Sequence, residues 1–112
     1  MGLDCSHDAF HGAYSAFNRL RQEVCRAAGE YNIESNPGLF EFLNHSDCDG
    51  EISPEMCKLV ADELEEIMPK FMALLPPAGG HIAMQGGYVN VLRKFIEGCR
   101  AAYAAGEPLI FS

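Results

Sequence analysis

The segment between residues 45 and 53 carries side chains whose types and spacing could bind a cation. His45, Asp47 and Asp49 stand at alternate positions, and Gly50 follows them. Carboxylates at alternate positions of a curving loop can point toward one cation, and glycine permits the sharp turn that closes the shell of ligands. An imidazole among the ligands favours zinc or manganese over calcium. The predicted metal ligands of this loop are His45, Asp47, Asp49, Glu51, Ser53 and Glu55.

A structural interpretation of the same loop stays open beside the metal site. Aspartate and glycine are common in turns whatever the function, because aspartate bonds to nearby backbone amides and glycine accepts a positive φ. Asp47 and Asp49 would then hold the turn before the next helix. The two interpretations differ in whether the carboxylates converge on one point.

A second group of candidate ligands lies near the start of the chain. His7 and His11 are four residues apart, which on a helix places them on one face, at a spacing used by paired imidazole ligands. We expect His7, His11 and Cys5 to add ligands to the metal site if the fold brings them beside His45. The alternative is that His7 caps or solvates the end of the first helix.

Motifs for catalysis without a metal are absent from the sequence. The chain has neither Gly-x-Ser-x-Gly nor a glycine-rich phosphate loop. Cys5 or Cys48 beside a histidine could form a thiol nucleophile, but neighbours in sequence do not establish the geometry. The chain is therefore expected not to be an enzyme. The alternative is a metal-dependent hydrolase, since a bound divalent ion can activate water.

The elements that must position these residues are predicted to be helices. Apolar residues recur every three to four positions, and Asn36 and Ser53, each followed by proline, are helix start signals. Gly106 is a stop signal, and Pro69 is expected to end or kink the third helix. The predicted helices cover about 8–28, 36–44, 53–69 and 88–105, with a further turn at 70–75.

Together these elements predict one all-α domain over residues 1–112. The expected architecture is a compact four-helix bundle with three long helices and one short one. Residues 108–111 form an irregular apolar tail that is expected to pack back on the body.

The net charge of −8 is concentrated in one stretch of the chain. Residues 41–66 contain nine acidic residues and one basic residue, so the rest of the chain is neutral. This distribution argues against direct nucleic-acid binding, which needs a basic surface. It allows a second hypothesis, an acidic module without metal chemistry that docks on a basic protein partner, as a phage-type inhibitor or nucleic-acid mimic would.

The cysteines and the apolar runs indicate a compartment. Five cysteines without a Cys-x-x-Cys pair or a secretion signal are typical of reduced thiols in a cytosol. No apolar run approaches the ~20 residues of a membrane span. We therefore expect a cytoplasmic protein that does not bind membranes.

The loop resembles the calcium loop of EF-hand proteins. Aligned on Gly50, Asp47 and Asp49 match the third and fifth positions of that loop, whereas His45 and Met56 depart from its first and twelfth. His45, Asp47, Asp49 and Gly50 are also similar to the His-x-Asp-x-Asp-Gly motif of DHH-type phosphoesterases. That second resemblance implies a divalent metal that activates water.

Longer stretches resemble small uncharacterised proteins of bacteria and their phages. These stretches are GLDCSHD (2–8), GAYSAF (12–17), NHSDCDGEI (44–52) and FIEGCRAA (95–102). The resemblance spans most of the chain and implies the cytoplasm of a bacterium or of a phage-infected cell. It implies no activity.

Overall fold

Four helices and four short strands make up the described part of the protein. The computed structural model describes residues 2–46, 48–75 and 87–112. The helices are α1 (Tyr14–Ala28), α2 (Pro37–Asn44), α3 (Pro54–Leu74) and α4 (Tyr88–Ala105). The strands are β1 (Gly2–Cys5), β2 (Phe10–Ala13), β3 (Glu51–Ile52) and β4 (Leu109–Ile110). The fold is therefore predominantly helical, as predicted, but it is not purely all-α.

A β-hairpin replaces the predicted first two turns of the first helix. Strands β1 and β2 pair antiparallel, and His7 and Asp8 at the turn between them have φ values of 58° and 60°. Two successive residues with positive φ give a turn whose twist matches that of the flanking strands. Along β1 the side chains alternate, so that Leu3 and Cys5 are buried and Asp4 is exposed. The helical face predicted for His7 and His11 was therefore wrong.

The predicted irregular tail is an extended segment that joins the two strand pairs. Asp4 and Ser112 exchange both backbone hydrogen bonds at 2.9 Å, and the Ser6 amide donates to the Ile110 carbonyl at 2.9 Å. On the other side, β4 pairs antiparallel with β3, and the Phe111 amide donates to Gly50. The tail thus lies between β1 and β3, and it packs on the body as predicted.

Helix α2 is held at both ends by side chains of other helices. The Glu63 carboxylate accepts hydrogen bonds from the Gly38 and Leu39 amides at 3.0 and 3.1 Å, so it caps the N-terminus in place of the Asn36 side chain. At the other end, the Arg21 guanidinium donates to the carbonyls of Phe42 and His45. Both charges are favourable to the helix dipole. The loop that follows α2 therefore starts from a fixed point.

The predicted helix boundaries at Ser53 and Gly106 are confirmed, but the third helix does not end at Pro69. The Ser53 hydroxyl accepts from the Met56 amide at 3.2 Å and caps α3. Helix α3 continues through Pro69 to Leu74, which includes most of the predicted further turn. Gly106 takes the left-handed conformation that ends α4. No helix in the described part of the chain is long and apolar enough to cross a membrane.

Phenylalanine side chains form the centre of the core. The Phe17 ring lies 5.1 to 5.9 Å from the rings of four others, measured between centroids, in tilted or edge-on geometry. Those rings are Phe10, Phe42, Phe95 and Phe111. Because the rings come from the hairpin, three helices and the tail, one apolar cluster fixes the positions of both candidate metal-binding regions.

Candidate functional site

The imidazole of His45 is held within its own loop. Its Nδ1 lies 2.8 Å from the Ser46 carbonyl oxygen and its Nε2 lies 3.2 Å from that of Glu51. The ring packs on Phe111 in tilted geometry at 4.2 Å between centroids, and Gly50 lies close to the ring on the opposite loop segment. Both ring nitrogens thus face carbonyl oxygens of the loop, and a neutral imidazole donates its single N–H to one of them. In this arrangement His45 closes the loop.

The remaining residues of the loop have mixed surroundings. The Ser46 hydroxyl accepts from the Cys48 and Asp49 amides at 3.3 and 3.4 Å, so serine performs the turn-capping role that was the alternative for the aspartates. The hydroxyl of Ser53 caps α3. Three predicted ligands are exposed, and these are Asp49, Glu51 and Glu55. Asp47, a fourth, lies outside the described residues.

The N-terminal candidates have partners of their own, apart from His45. Burial raises the pKa of the Cys5 thiol to about 12, with a smaller contribution from Asp4. His7 Nε2 donates to Glu107 Oε1 at 2.9 Å. His11 bonds to Asp4 and Asp8. Within residues 2–46, 48–75 and 87–112, no three His, Cys, Asp or Glu side chains are arranged to hold a metal ion. The metal site stays a prediction.

A hydroxyl, an imidazole and a carboxylate are connected in series at the hairpin turn. The Ser6 hydroxyl donates to His7 Nδ1 at 3.2 Å, and His7 Nε2 donates to Glu107. This is the order of groups in acyl-transfer triads. However, Ser6 Oγ also accepts the Ile110 amide at 2.8 Å. The series therefore ties the turn to the tail, and its geometry is that of a structural link.

The second hairpin histidine lies between two carboxylates. His11 donates from Nδ1 to Asp4 and from Nε2 to Asp8, both at 2.7 Å. These hydrogen bonds raise the pKa of His11, first through Asp4 and then through Asp8. The bond to His11, together with the charges of His11 and Lys94, lowers the pKa of the Asp8 carboxyl. The arrangement favours an imidazolium bonded to two carboxylates.

This cluster borders a cavity of about 320 Å³ between the hairpin and the start of α4. The hairpin contributes the carboxylate of Asp8, the imidazole of His11 and apolar surface. The helix contributes one amide and one ammonium group. The residues that line the cavity are Asp8, Ala9, Phe10, His11, Asn90, Val91 and Lys94.

A larger cavity, of about 800 Å³, is the groove between α3 and α4. Arg100 bonds to both Asp62 and Glu65, which places the end of α4 beside the middle of α3, so the two helices run antiparallel. The groove residues of α3 recur at intervals of three and four, so they share one face. The groove is lined by Glu65, Met68, Pro69, Met72, Ala73, Arg93, Ile96 and Glu97.

Sequence reasoning did not identify this groove. The sequence did contain an indication of the groove, because Met68 and Met72 lie four positions apart and therefore on one face of the predicted third helix. Met72 is 50% exposed, as is the neighbouring Leu74 at 51%. Whether an apolar helix face is covered depends on contacts with distant parts of the chain, and the spacing of residues does not show those contacts.

Three acidic side chains of residues 41–66 bond to other groups inside the protein. Asp62 bonds to Lys58 and Arg100 at 2.7 and 3.0 Å, and Glu65 bonds to Arg100 at 2.6 Å. Glu63 caps α2. Three of the nine acidic side chains in residues 41–66 therefore stabilise the fold, and docking on a basic partner stays a prediction.

No protein-family model matches the chain, and comparisons with curated proteins and with solved structures gave no match. The resemblances to EF-hand loops, to DHH-type phosphoesterases and to bacterial and phage proteins stay predictions. Function must be inferred from the geometry and chemistry of the chain itself.

Proposed function

We propose that the protein is an interaction module that binds an amphipathic helical segment of a partner protein in the groove between α3 and α4. The observation that carries this proposal is the apolar floor of the groove, made by Met68, Met72 and Ile96. Methionine side chains are flexible and polarisable, so they adapt to the apolar face of a bound helix. Grooves between helices commonly receive such a face.

The dimensions of the groove suit a short helix. Its α3 wall runs from Glu65 to Ala73, a rise of about 12 Å along the helix axis. Apolar anchors at positions i, i+3 and i+7 of a partner helix span about 10 Å. A partner segment of two to three turns would therefore reach from one end of the groove to the other.

The charges at the groove give the partner a chemical character. Glu65 and Glu97 lie toward one end and Arg93 toward the other, because the two helices are antiparallel. Glu65 is paired with Arg100, whereas Glu97 is exposed, and the protein as a whole carries −8. A partner with lysine or arginine next to its apolar anchors would gain attraction at the acidic end, and this attraction should weaken with salt.

The experiment uses synthetic amphipathic peptides of about 16 residues, with a fluorescent label and one common apolar face. Their flanks carry lysine, glutamate or no charge, and binding is followed by fluorescence anisotropy at low and high salt. We expect the lysine-flanked peptide to bind with a dissociation constant on the order of 10 µM. The glutamate-flanked peptide should bind about tenfold more weakly at low salt, and high salt should reduce the difference.

Two matched variants test whether binding occurs in the groove. Met72→Glu places a charge on the apolar floor, and Leu74→Glu places the same charge two residues away at equal exposure outside the groove. We expect Met72→Glu to weaken the lysine-flanked peptide about tenfold and Leu74→Glu to change it little. Equal loss in both variants, or no peptide binding at either salt concentration, would contradict the proposal.

A further inference from the structure

The small cavity between the hairpin and α4 is lined by charges of both signs. Asp8 and His11 lie on the hairpin wall, where the imidazolium and its two carboxylates, Asp4 and Asp8, carry a net charge of −1. On the hairpin wall the Asp8 carboxylate is bonded to His11 at 2.7 Å. On the α4 wall stands the Lys94 ammonium, which is close enough to lower the pKa of Asp8. The volume of about 320 Å³ is at the small end of the range for pockets that bind small molecules.

The hairpin wall is held in place by close packing. A Cβ atom on Gly98 would lie 2.4 Å from the Ala9 side chain, so the turn rests directly on the backbone of α4. His7 and Asp8 keep the left-handed conformation, which costs free energy for residues other than glycine and persists where the surroundings hold it. The backbone at Asp8 is therefore held against α4 before any ligand arrives, which reduces the entropy lost on binding.

Charges of both signs select a ligand that carries both. A ligand carboxylate would gain from Lys94, and a ligand ammonium group would gain from Asp8. A molecule with only one charge would satisfy one wall and leave the other unmatched, at a cost in affinity. Ala9, Phe10 and Val91 add an apolar surface that a short side chain could contact.

We propose that this cavity is a binding site for a small zwitterion of the size of an α-amino acid. The ligand carboxylate faces Lys94 and Asn90, and its ammonium group faces Asp8. None of these residues belongs to the groove between α3 and α4, so this site is independent of the proposed partner binding.

The test is a titration of the isotope-labelled protein followed by two-dimensional amide NMR. The three probes are L-valine, L-valinamide and N-acetyl-L-valine, which carry both charges, the positive charge alone and the negative charge alone. We expect L-valine to shift the amide signals of Ala9, Asn90 and Lys94 with a dissociation constant on the order of 1 mM. Each singly charged probe should bind about tenfold more weakly.

Matched variants separate a binding role from a structural one. Asp8→Asn should lower the affinity for L-valine about tenfold and abolish its preference over N-acetyl-L-valine. Asp4→Asn removes the charge of the other carboxylate that bonds to His11 at the same distance but leaves the cavity lining unchanged, so it should retain that preference. Lys94→Met should abolish the preference over L-valinamide, whereas Lys70→Met, on α3, should not.

Three results would overturn the proposal. The first is the absence of saturable shifts at these amides with L-valine. The second is equal binding of the three probes. The third is loss of binding in Asp4→Asn as large as in Asp8→Asn, which would indicate that the histidine cluster acts only on the fold of the hairpin. The variants' amide spectra report directly whether the hairpin is intact.

Discussion

The hairpin and the loop after α2 both hold a histidine between two oxygen acceptors, yet the acceptors differ in kind. His11 bonds to the carboxylates of Asp4 and Asp8, whereas His45 bonds to the backbone carbonyls of Ser46 and Glu51. Carboxylates favour the charged imidazole and stay available to solvent and ligands. Backbone carbonyls fix the path of the chain. Histidine therefore bonds to charged side chains in the hairpin, whereas in the loop it holds the backbone in place.

The surroundings of the two histidines follow the same division. His11 is half exposed and borders a cavity with charges on both sides. His45 stacks on the buried Phe111 ring, with Gly50 close to it. The density of metal-binding residue types in the loop made it the stronger candidate in sequence. In the structure it is the hairpin whose charged groups border a cavity, and the proposed ligand site lies there.

Removing the ring that both regions share should have the largest effect. Phe111 stacks on His45, and its backbone bridges to Cys5 of β1. We expect Phe111→Ala to lower the free energy of unfolding by about 3–5 kcal/mol, because it leaves a cavity in the core. Denaturant titration measures the change. Ile110→Ala, at a 48% exposed neighbour, should cost less than about 1 kcal/mol, and comparable losses would contradict the shared role.

Separate removal of each histidine should distinguish the two regions. His45→Ala leaves two loop carbonyls without their partner and removes the stacked ring, so we expect a loss of about 1–3 kcal/mol in the free energy of unfolding. His11→Ala should cost less than about 1 kcal/mol, since solvent screens an exposed ion pair. Denaturant titration of the two variants checks this order. A larger loss in the free energy of unfolding for His11→Ala than for His45→Ala would contradict the structural role assigned to His45.

The smallest expected effect is a dependence of stability on pH in the hairpin. The bonds to Asp4 and Asp8 raise the pKa of His11 above its ordinary value of 6.5, so their contribution is complete below pH 6.5 and is lost as pH rises through the folded-state pKa. The His11 bond lowers the pKa of Asp8 below 3.8, so that contribution is complete above pH 3.8 and is lost as pH falls through the folded-state pKa.

Thermal melts across pH test this prediction. The melting temperature of His11→Gln should lie furthest below that of the native protein between about pH 4 and pH 6.5, where both contributions are present. The difference between the two proteins should narrow as pH rises above that range. A difference that is the same at all pH values would show that the ion pairs add no charge-dependent stability.

The start of α3 and the end of α4 followed from local signals in the sequence. Ser53 and Gly106 act on their own neighbours, so the physical cause of each boundary lies within a few residues of it. The short helix α2 was predicted at the right place for an incomplete reason. Its N-terminal cap comes from Glu63, which is on another helix and cannot be assigned from spacing.

The hairpin escaped prediction because its turn carries no glycine. His7 and Asp8 occupy positions where Asn-Gly is the usual signal, and Phe10, Ala13 and Phe17 happen to follow a helical spacing. Strand β1 also pairs with the tail, and this pairing joins residues that are far apart in the sequence. Both proposed sites depend on such distant contacts, so sequence periodicity could name their residues but could not bring them together.

The position of the tail has a consequence for the order of events in folding. The bond between Ser6 and Ile110 joins residues 104 positions apart, whereas the contacts inside each helix join residues four apart. Closing a loop of that length costs entropy that only the assembled core can offset. The helices and the hairpin turn should therefore form first, and insertion of the tail between β1 and β3 should be the slow step. The rate of reaching the native state would then depend on the tail more than on the helices.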